Sequence, residues 1–162
     1  MAAKPEGITI GDGTQGSPYE VHNYDEIKWC CEDSEAIPPG QTATSDCVYL
    51  KLVDNIDCQE YDVDFLWSII CTHWVDFNLN TRTIKTFYIA NGSSMFVHAS
   101  YTFRIHDGKI LNVYGHWELG SNGIIEGANG IMSVTNISFS ADGSKIHSLF
   151  YNSSGSTTTK IV

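Results

Sequence analysis

Aspartate and glutamate are the residues of this chain with the most obvious capacity for chemistry: they number 19, against nine lysines and arginines. Asp62 and Asp64 sit two apart, so on a β-strand their carboxylates face the same way, about 7 Å apart along it. Asp54 and Asp57 flank a turn. Paired carboxylates at such separations are what glycoside hydrolysis requires. The competing reading is turn chemistry, to which Asp is suited. It is the one adopted, and no catalytic residue is assigned. The six histidines, His22, His73, His98, His106, His116 and His147, show no metal-pair spacing such as His-x-x-x-His. They read as exposed strand residues, and no metal site is expected. Cys30, Cys31, Cys47, Cys58 and Cys71 include no Cys-x-x-Cys pair; they are expected to be free, buried thiols that pack as small apolar side chains. Gly11-Asp-Gly-Thr-Gln-Gly-Ser-Pro18 is rich in glycine but lacks the Lys-Ser or Lys-Thr of a phosphate loop, so it reads as a turn. No Gly-x-Ser-x-Gly elbow is present.

Aromatic residues give a different signal. Tyr88, Tyr101, Tyr114, Trp117 and Tyr151 recur near the ends of β-type runs and could form a stacked ribbon. That ribbon would be either a contact surface for a glycan or protein or part of the packing, as the β-propensity of aromatics favours.

Composition narrows the function classes. The 162 residues carry a net charge of −10, with 42% hydrophobic and 12% aromatic content. That is enough apolar material for one packed domain. The negative balance and scattered cations argue against nucleic acid, which demands a basic stripe, and against an anionic membrane surface. The longest apolar run, Phe65 to Cys71, is too short to span a bilayer. The opening Met-Ala-Ala-Lys-Pro-Glu-Gly has no apolar stretch and does not read as a secretory signal, so synthesis in a cytoplasm is expected.

The elements follow from pattern. Residues 1–7 are expected to be a loose arm and 8–162 a single domain, with a cap region over 8–46. Ile8 to Ile10 and Tyr19 to His22 read as short strands. A helix is predicted over 23–33, with Asn23 as N-cap, Asp25 and Glu26 in the first turn, and Tyr24, Ile27, Cys30 and Cys31 on one apolar face. Val48, Leu50 and Leu52 alternate with polar partners in a half-buried strand. From Val75 onward one phrase recurs: strand, polar corner, strand. Its copies run from Val75 to Ile89, from Tyr101 to Tyr114 and from Ile137 to Tyr151. Aligned on their corners, Leu79, Ile105 and Phe139 fall in one slot, and Ile84, Ile110 and Ile146 in the next. Repeating slots of like residues predict an all-β fold, a short solenoid whose inward side chains stack in ladders over residues 47–162.

Three segments together resemble the GLUG-type β-helix repeats of bacterial surface proteins and phage structural proteins. They are Gly11-Asp-Gly-Thr14 with Pro18-Tyr-Glu-Val21, Asp25-Glu-Ile27 followed by Tyr49-Leu-Lys-Leu-Val-Asp-Asn-Ile-Asp57, and Trp67 with Phe77 and Thr83-Ile-Lys-Thr-Phe-Tyr-Ile89. The likeness covers residues 8 to 89, and beyond that only the rhythm persists. The family's Asp-Gly-Asn-Gly corner is replaced here by Leu79-Asn-Thr-Arg82. The resemblance implies a right-handed parallel β-helix with an N-terminal capping helix, and no activity. It further implies a non-catalytic structural component of a phage virion: a head fibre, capsid decoration or tail-spike-type module. Such a module would be homotrimeric, bound to other virion proteins and able to attach to a host-surface glycan. A bacterial surface adhesin or carbohydrate-binding module is the second expectation, and a glycan-cleaving enzyme the third. No cofactor, nucleic-acid partner or membrane insertion is expected.

Overall fold

The computed structural model describes residues 3–57, 68–89, 94–98, 101–117, 123–127, 131–141, 150–152 and 158–161. One helix, α1 (Tyr24–Glu32), and a short 3-10 turn (Ser34–Ala36) lie near the N-terminus. The remaining elements are strands: β1 (Tyr19–Val21), β2 (Val48–Leu52), β3 (Ile56–Asp57), β4 (Ile69–Cys71), β5 (Val75–Asn78), β6 (Thr83–Ile89), β7 (Ser94–His98), β8 (Thr102–Trp117), β9 (Gly123–Gly127), β10 (Ile131–Ala141), β11 (Phe150–Asn152) and β12 (Thr158–Ile161). The expected strand over Ile8 to Ile10 does not form. Ile8 is buried instead, and the Ile10 carbonyl accepts from Glu20 N–H at 3.1 Å. Among the described residues, no helix is long and apolar enough to cross a membrane.

Two sheets result. The larger runs β1-β2-β5-β8-β10-β12, with β6 pairing both β3 and β8; the smaller runs β11-β9-β7-β4. Every strand pairing among the described residues is parallel, apart from one isolated antiparallel bridge between Thr14 and Ser17. Parallel neighbours cannot be joined by a tight hairpin. Here β1 reaches β2 by way of α1, and from β2 onward the chain passes to the smaller sheet and back before each next parallel neighbour on the path β2-β5-β8-β10-β12.

The register is regular. In the larger sheet Tyr19, Leu50, Phe77, Ile105, Val134 and Ile161 form one column of paired positions. Ile56, Ile84, Ile110 and Phe139 form a second. The smaller sheet contributes Ile69, Phe96, Ile125 and Phe150. Period-2 alternation turns one face of each strand inward, and Leu50, Phe77, Ile105, Ile84, Ile110, Ile69 and Phe96 are buried. Phe96 stacks on Phe103 with ring centroids 5.0 Å apart and meets Phe77 edge-on at 6.2 Å, joining the two sheets.

The expected slot of Leu79, Ile105 and Phe139 is corrected by this register. Ile105 pairs with Phe77 and Val134, and Phe139 pairs with Ile110. Ile84 does pair with Ile110, as expected. The cause is corner length. The first copy turns over Leu79–Arg82, with left-handed Asn80 (φ 50) and Thr81 (φ 64), whereas the second turns at Asp107 (φ 60), and on β10 the left-handed residue is Asn136 (φ 52), just before the expected start of the third copy. Leu79 therefore lies within a corner, buried, with its N–H donated to the His106 carbonyl at 2.8 Å. The third corner was expected at Asp142-Gly143, which, with Ile146, lies outside the described residues; so does the side chain of Phe139.

The helix forms as its capping signature dictates. Asn23 Oδ1 accepts from Glu26 N–H at 3.0 Å. The buried Glu26 carboxylate accepts from His22 N–H at 2.7 Å and from Asn23 Nδ2 at 2.9 Å. Tyr24, Ile27, Trp29, Cys30 and Cys31 are buried on its apolar face. In the preceding turn, Gly11 (φ 91) lies so close to the Pro18 carbonyl that a Cβ would collide with it.

Truncating the ring that joins the sheets should be costly. Phe77→Ala is expected to remove about 3–5 kcal/mol of unfolding free energy. Ile70→Ala, at an outward position that is 53% exposed, should change it by less than about 0.5 kcal/mol. Urea denaturation followed by circular dichroism measures both.

Candidate functional site

The register that stacks the inward residues also aligns the outward ones. On the exposed face of the larger sheet, Tyr49, Asp76, Arg104 and Ser133 occupy one column, and Glu20, Lys51, Asn78, His106 and Thr135 the next. Side by side, the two columns form a polar strip across β1, β2, β5, β8 and β10.

At its centre the His106 imidazole lies between two carboxylates. Nε2 is 2.9 Å from Asp76 Oδ1, and Nδ1 is 2.7 Å from Asp107 Oδ2. Asn136 Nδ2 donates to the other Asp107 oxygen at 2.8 Å, and Arg104 stands 3.6 Å from Asp76 Oδ2. With an acceptor at each ring nitrogen, the arrangement suits the doubly protonated imidazolium. The hydrogen bond to Asp76 is the chief cause of a His106 pKa raised to about 9; burial opposes the rise and Asp107 adds to it. Asp107 is held below the usual carboxylate range, first by Asn136 and then by His106. Carrying its proton at neutral pH, His106 is a poor general base.

Beside this cluster a cavity of about 260 Å³ opens between the sheet face and the Gln15–Pro18 turn. Tyr49, Lys51, Asp76, Asn78 and His106 line its sheet side. The Tyr49 hydroxyl lies 3.2 Å from Asp46 Oδ1, and its pKa is raised to about 12, by desolvation first and by that hydrogen bond next.

The residues singled out from sequence distribute unevenly. Asp62 and Asp64 lie outside the described residues. Asp54 is exposed, and Asp57 pairs with Lys85 at 3.0 Å. The histidines are not uniformly exposed: His73 is 1% exposed, with Nε2 2.8 Å from the Cys30 carbonyl, and burial holds its pKa below the ordinary value. His98 and His116 lie on β7 and β8 with side chains outside the described residues, as is the whole of His147. Among the aromatics, Tyr101 is half-buried just before β8. Tyr88, Tyr114 and Trp117 fall on the larger sheet and Tyr151 on the smaller. The register thus divides them between two sheets rather than in the expected single ribbon; the side chains of those four lie outside the described residues.

Cys30, Cys31, Cys47 and Cys71 are free and buried, and Cys58 lies outside the described residues. Burial pushes the Cys30 thiol far up and Cys47 up to about 11, while a hydrogen bond to Cys71 is the first cause of the rise at Cys31. These thiols are therefore poor nucleophiles at neutral pH. Among the described residues no group of three or more His, Cys, Asp or Glu is placed to hold a metal ion.

Sequence reasoning missed the groove. Its signal was the outward position of each repeat, Tyr49, Asp76 and Arg104, which becomes visible only once the strands are aligned on Leu50, Phe77 and Ile105 rather than on the corners.

The His106 cluster sets a pH dependence whose sign is fixed. The folded pKa of about 9 exceeds the ordinary value of 6.5, so the folded state binds the proton more tightly. The stabilisation is complete below pH 6.5 and is lost as pH rises through about 9. Allowing for solvent screening at a partly exposed site, the stability advantage of the native chain over a His106→Asn variant should shrink by about 1–2 kcal/mol across that window. Denaturation at pH values on either side reads it; a constant difference would refute it.

Comparison with family models, with curated proteins and with solved structures finds no match for this chain.

Proposed function

We propose that the chain is a short right-handed parallel β-helix serving as a non-catalytic structural module of a phage virion, assembled as a homotrimer. The winding is supported by parallel pairing at every strand contact among the described residues, together with the chain's passage between two sheets from β2 onward. The right hand is what parallel β-crossovers adopt in about 98% of cases. The structural role is supported by the state of the candidate reactive groups: the thiols are buried and His106 is held protonated between two aspartates.

The observation that carries the assembly reading is the difference between the two ends. At one end α1 covers the β4 edge: Ile70 N–H donates to Glu32 Oε1 at 2.9 Å and Thr72 N–H to the Cys31 carbonyl at 3.0 Å. At the other end, β11 pairs only with β9 and β12 only with β10 among the described residues. A strand edge of this kind is a natural seat for another chain. A closed homo-oligomer is the usual way to occupy such a surface.

Light scattering coupled to size exclusion should return three times the chain mass at micromolar concentration. A strict monomer would overturn the assembly reading. Particles banded by density from lysed source cells should carry the chain at fixed stoichiometry, and recovery solely with the cell envelope would replace the virion reading with that of a surface adhesin.

A further inference from the structure

We propose that the cavity between the Gln15–Pro18 turn and the outer face of β2 and β5 binds one neutral pyranose ring of an oligosaccharide. This goes beyond the structural role and does not depend on it, because the groove is formed within a single chain.

Tyr49 supplies the platform. Tyr49 lines the cavity with its hydroxyl tethered to Asp46, and Pro18, on the turn, lines it as well. Aromatic and prolyl surfaces suit the C–H face of a sugar, which is apolar although its rim is not. Around this platform lie hydrogen-bonding groups with capacity left over. Asp76 Oδ1 is engaged by His106, but among the described residues Oδ2 has only Arg104 at 3.6 Å, beyond hydrogen-bond length. Asn78 Oδ1 accepts from Asn80 N–H at 2.6 Å, which leaves the amide nitrogen's two donors directed elsewhere. Gln15, exposed on the turn above, brings both a donor and an acceptor. A carboxylate oxygen beside amide donors is what vicinal hydroxyls need, since each hydroxyl both gives and accepts.

Charge selects a neutral sugar. The cations bordering the groove are already matched: Lys51 with Glu20 at 3.4 Å, Arg104 with Asp76, and His106 with Asp76 and Asp107. A uronic acid or phosphorylated sugar would bring its charge to Asp76 without meeting an uncommitted positive group, and the chain's net charge of −10 adds to the repulsion. Size selects a single ring. The cavity of about 260 Å³ is below the usual range for a drug-sized ligand, about 300–1,000 Å³.

The test is isothermal titration of the full chain with hexasaccharides of glucose, galactose and mannose in both α and β linkage, with a galacturonate hexasaccharide as the acidic probe. The expected result is saturable binding of at least one neutral hexasaccharide and none of the acidic one. Tyr49→Ala and Gln15→Ala should each weaken that binding by about tenfold. Circular dichroism checks the fold of both variants. Should Tyr49→Ala fail to fold, Gln15→Ala decides, because Gln15 is exposed and makes no hydrogen bond among the described residues. Failure of every neutral probe, preference for the acidic one, or undiminished affinity in the variants would each overturn the proposal.

Discussion

Three phenylalanine rings hold the two sheets together. Phe77 and Phe103 come from the larger sheet and Phe96 from the smaller, and all three are fully buried. Their contact requires Phe77, Phe96 and Phe103 to arrive at matching depth from three separate strands, β5, β7 and β8. A slip of one residue in any strand would turn its aliphatic and aromatic positions outward. Register is therefore the controlling constraint, and the hydrophobic burial that enforces it is the dominant favourable term in folding. The left-handed corners serve it. Thr81 is β-branched and costly at φ 64, yet its N–H is bonded to the Asp107 carbonyl and the neighbouring Arg82 N–H to Leu79 at 2.7 Å. Local strain is offset by keeping β5 and β6 aligned on β8.

Once the inward residues are in register, the outward residues are no longer independent. Glu20 lies opposite Lys51, Asp57 opposite Lys85, and Asp76 opposite Arg104, and each is a paired position in a parallel ladder. Each also forms an ion pair, at 3.4, 3.0 and 3.6 Å. Exposed pairs of this kind contribute only about 0.2–1 kcal/mol apiece. Their collective effect is on specificity: any slip of register would separate Glu20, Asp57 and Asp76 from Lys51, Lys85 and Arg104. The His106 cluster is the most developed case, because Asp76 is reached across the strand while Asp107 is adjacent in sequence.

What could be read in the sequence was whatever depends on near neighbours. The Asn23 and Glu26 cap is contained within four residues, and the helix appears where it predicts. The alternation of Val48, Leu50 and Leu52 and the recurrence of the strand phrase gave the β class and the repeat. What could not be read was which residue pays its respects to which across a turn. Asn80, Thr81, Asp107 and Asn136 all adopt left-handed conformations, yet Thr81 and Asp107 differ from the two asparagines, so composition alone does not align the corners. Aligning the third copy on Asp142-Gly143 displaced Phe139 from Ile110 to Ile105. The Tyr49, Asp76 and Asn78 groove was invisible for the same reason, since it exists only when three strands are set side by side.

The helix end shows how the same economy extends to the edge of the sheet. An α-helix leaves its last four carbonyls without internal partners, and α1 has no basic residue in its last turn to complement them. The next segments of the fold supply the donors instead. Asp33 N–H reaches the Trp29 carbonyl at 3.0 Å, His73 Nε2 the Cys30 carbonyl at 2.8 Å, Thr72 N–H the Cys31 carbonyl at 3.0 Å and the Thr72 hydroxyl the Glu32 carbonyl at 2.9 Å. Three of these four donors belong to the Thr72-His73 corner after β4. The sheet edge thus gains a cover and the helix gains its C-terminal partners in one contact. This explains the burial of His73: the Nε2–H tautomer of a neutral ring is a sufficient donor, and its low pKa keeps a charge out of the core. No comparable helix lies at the β11 and β12 end among the described residues.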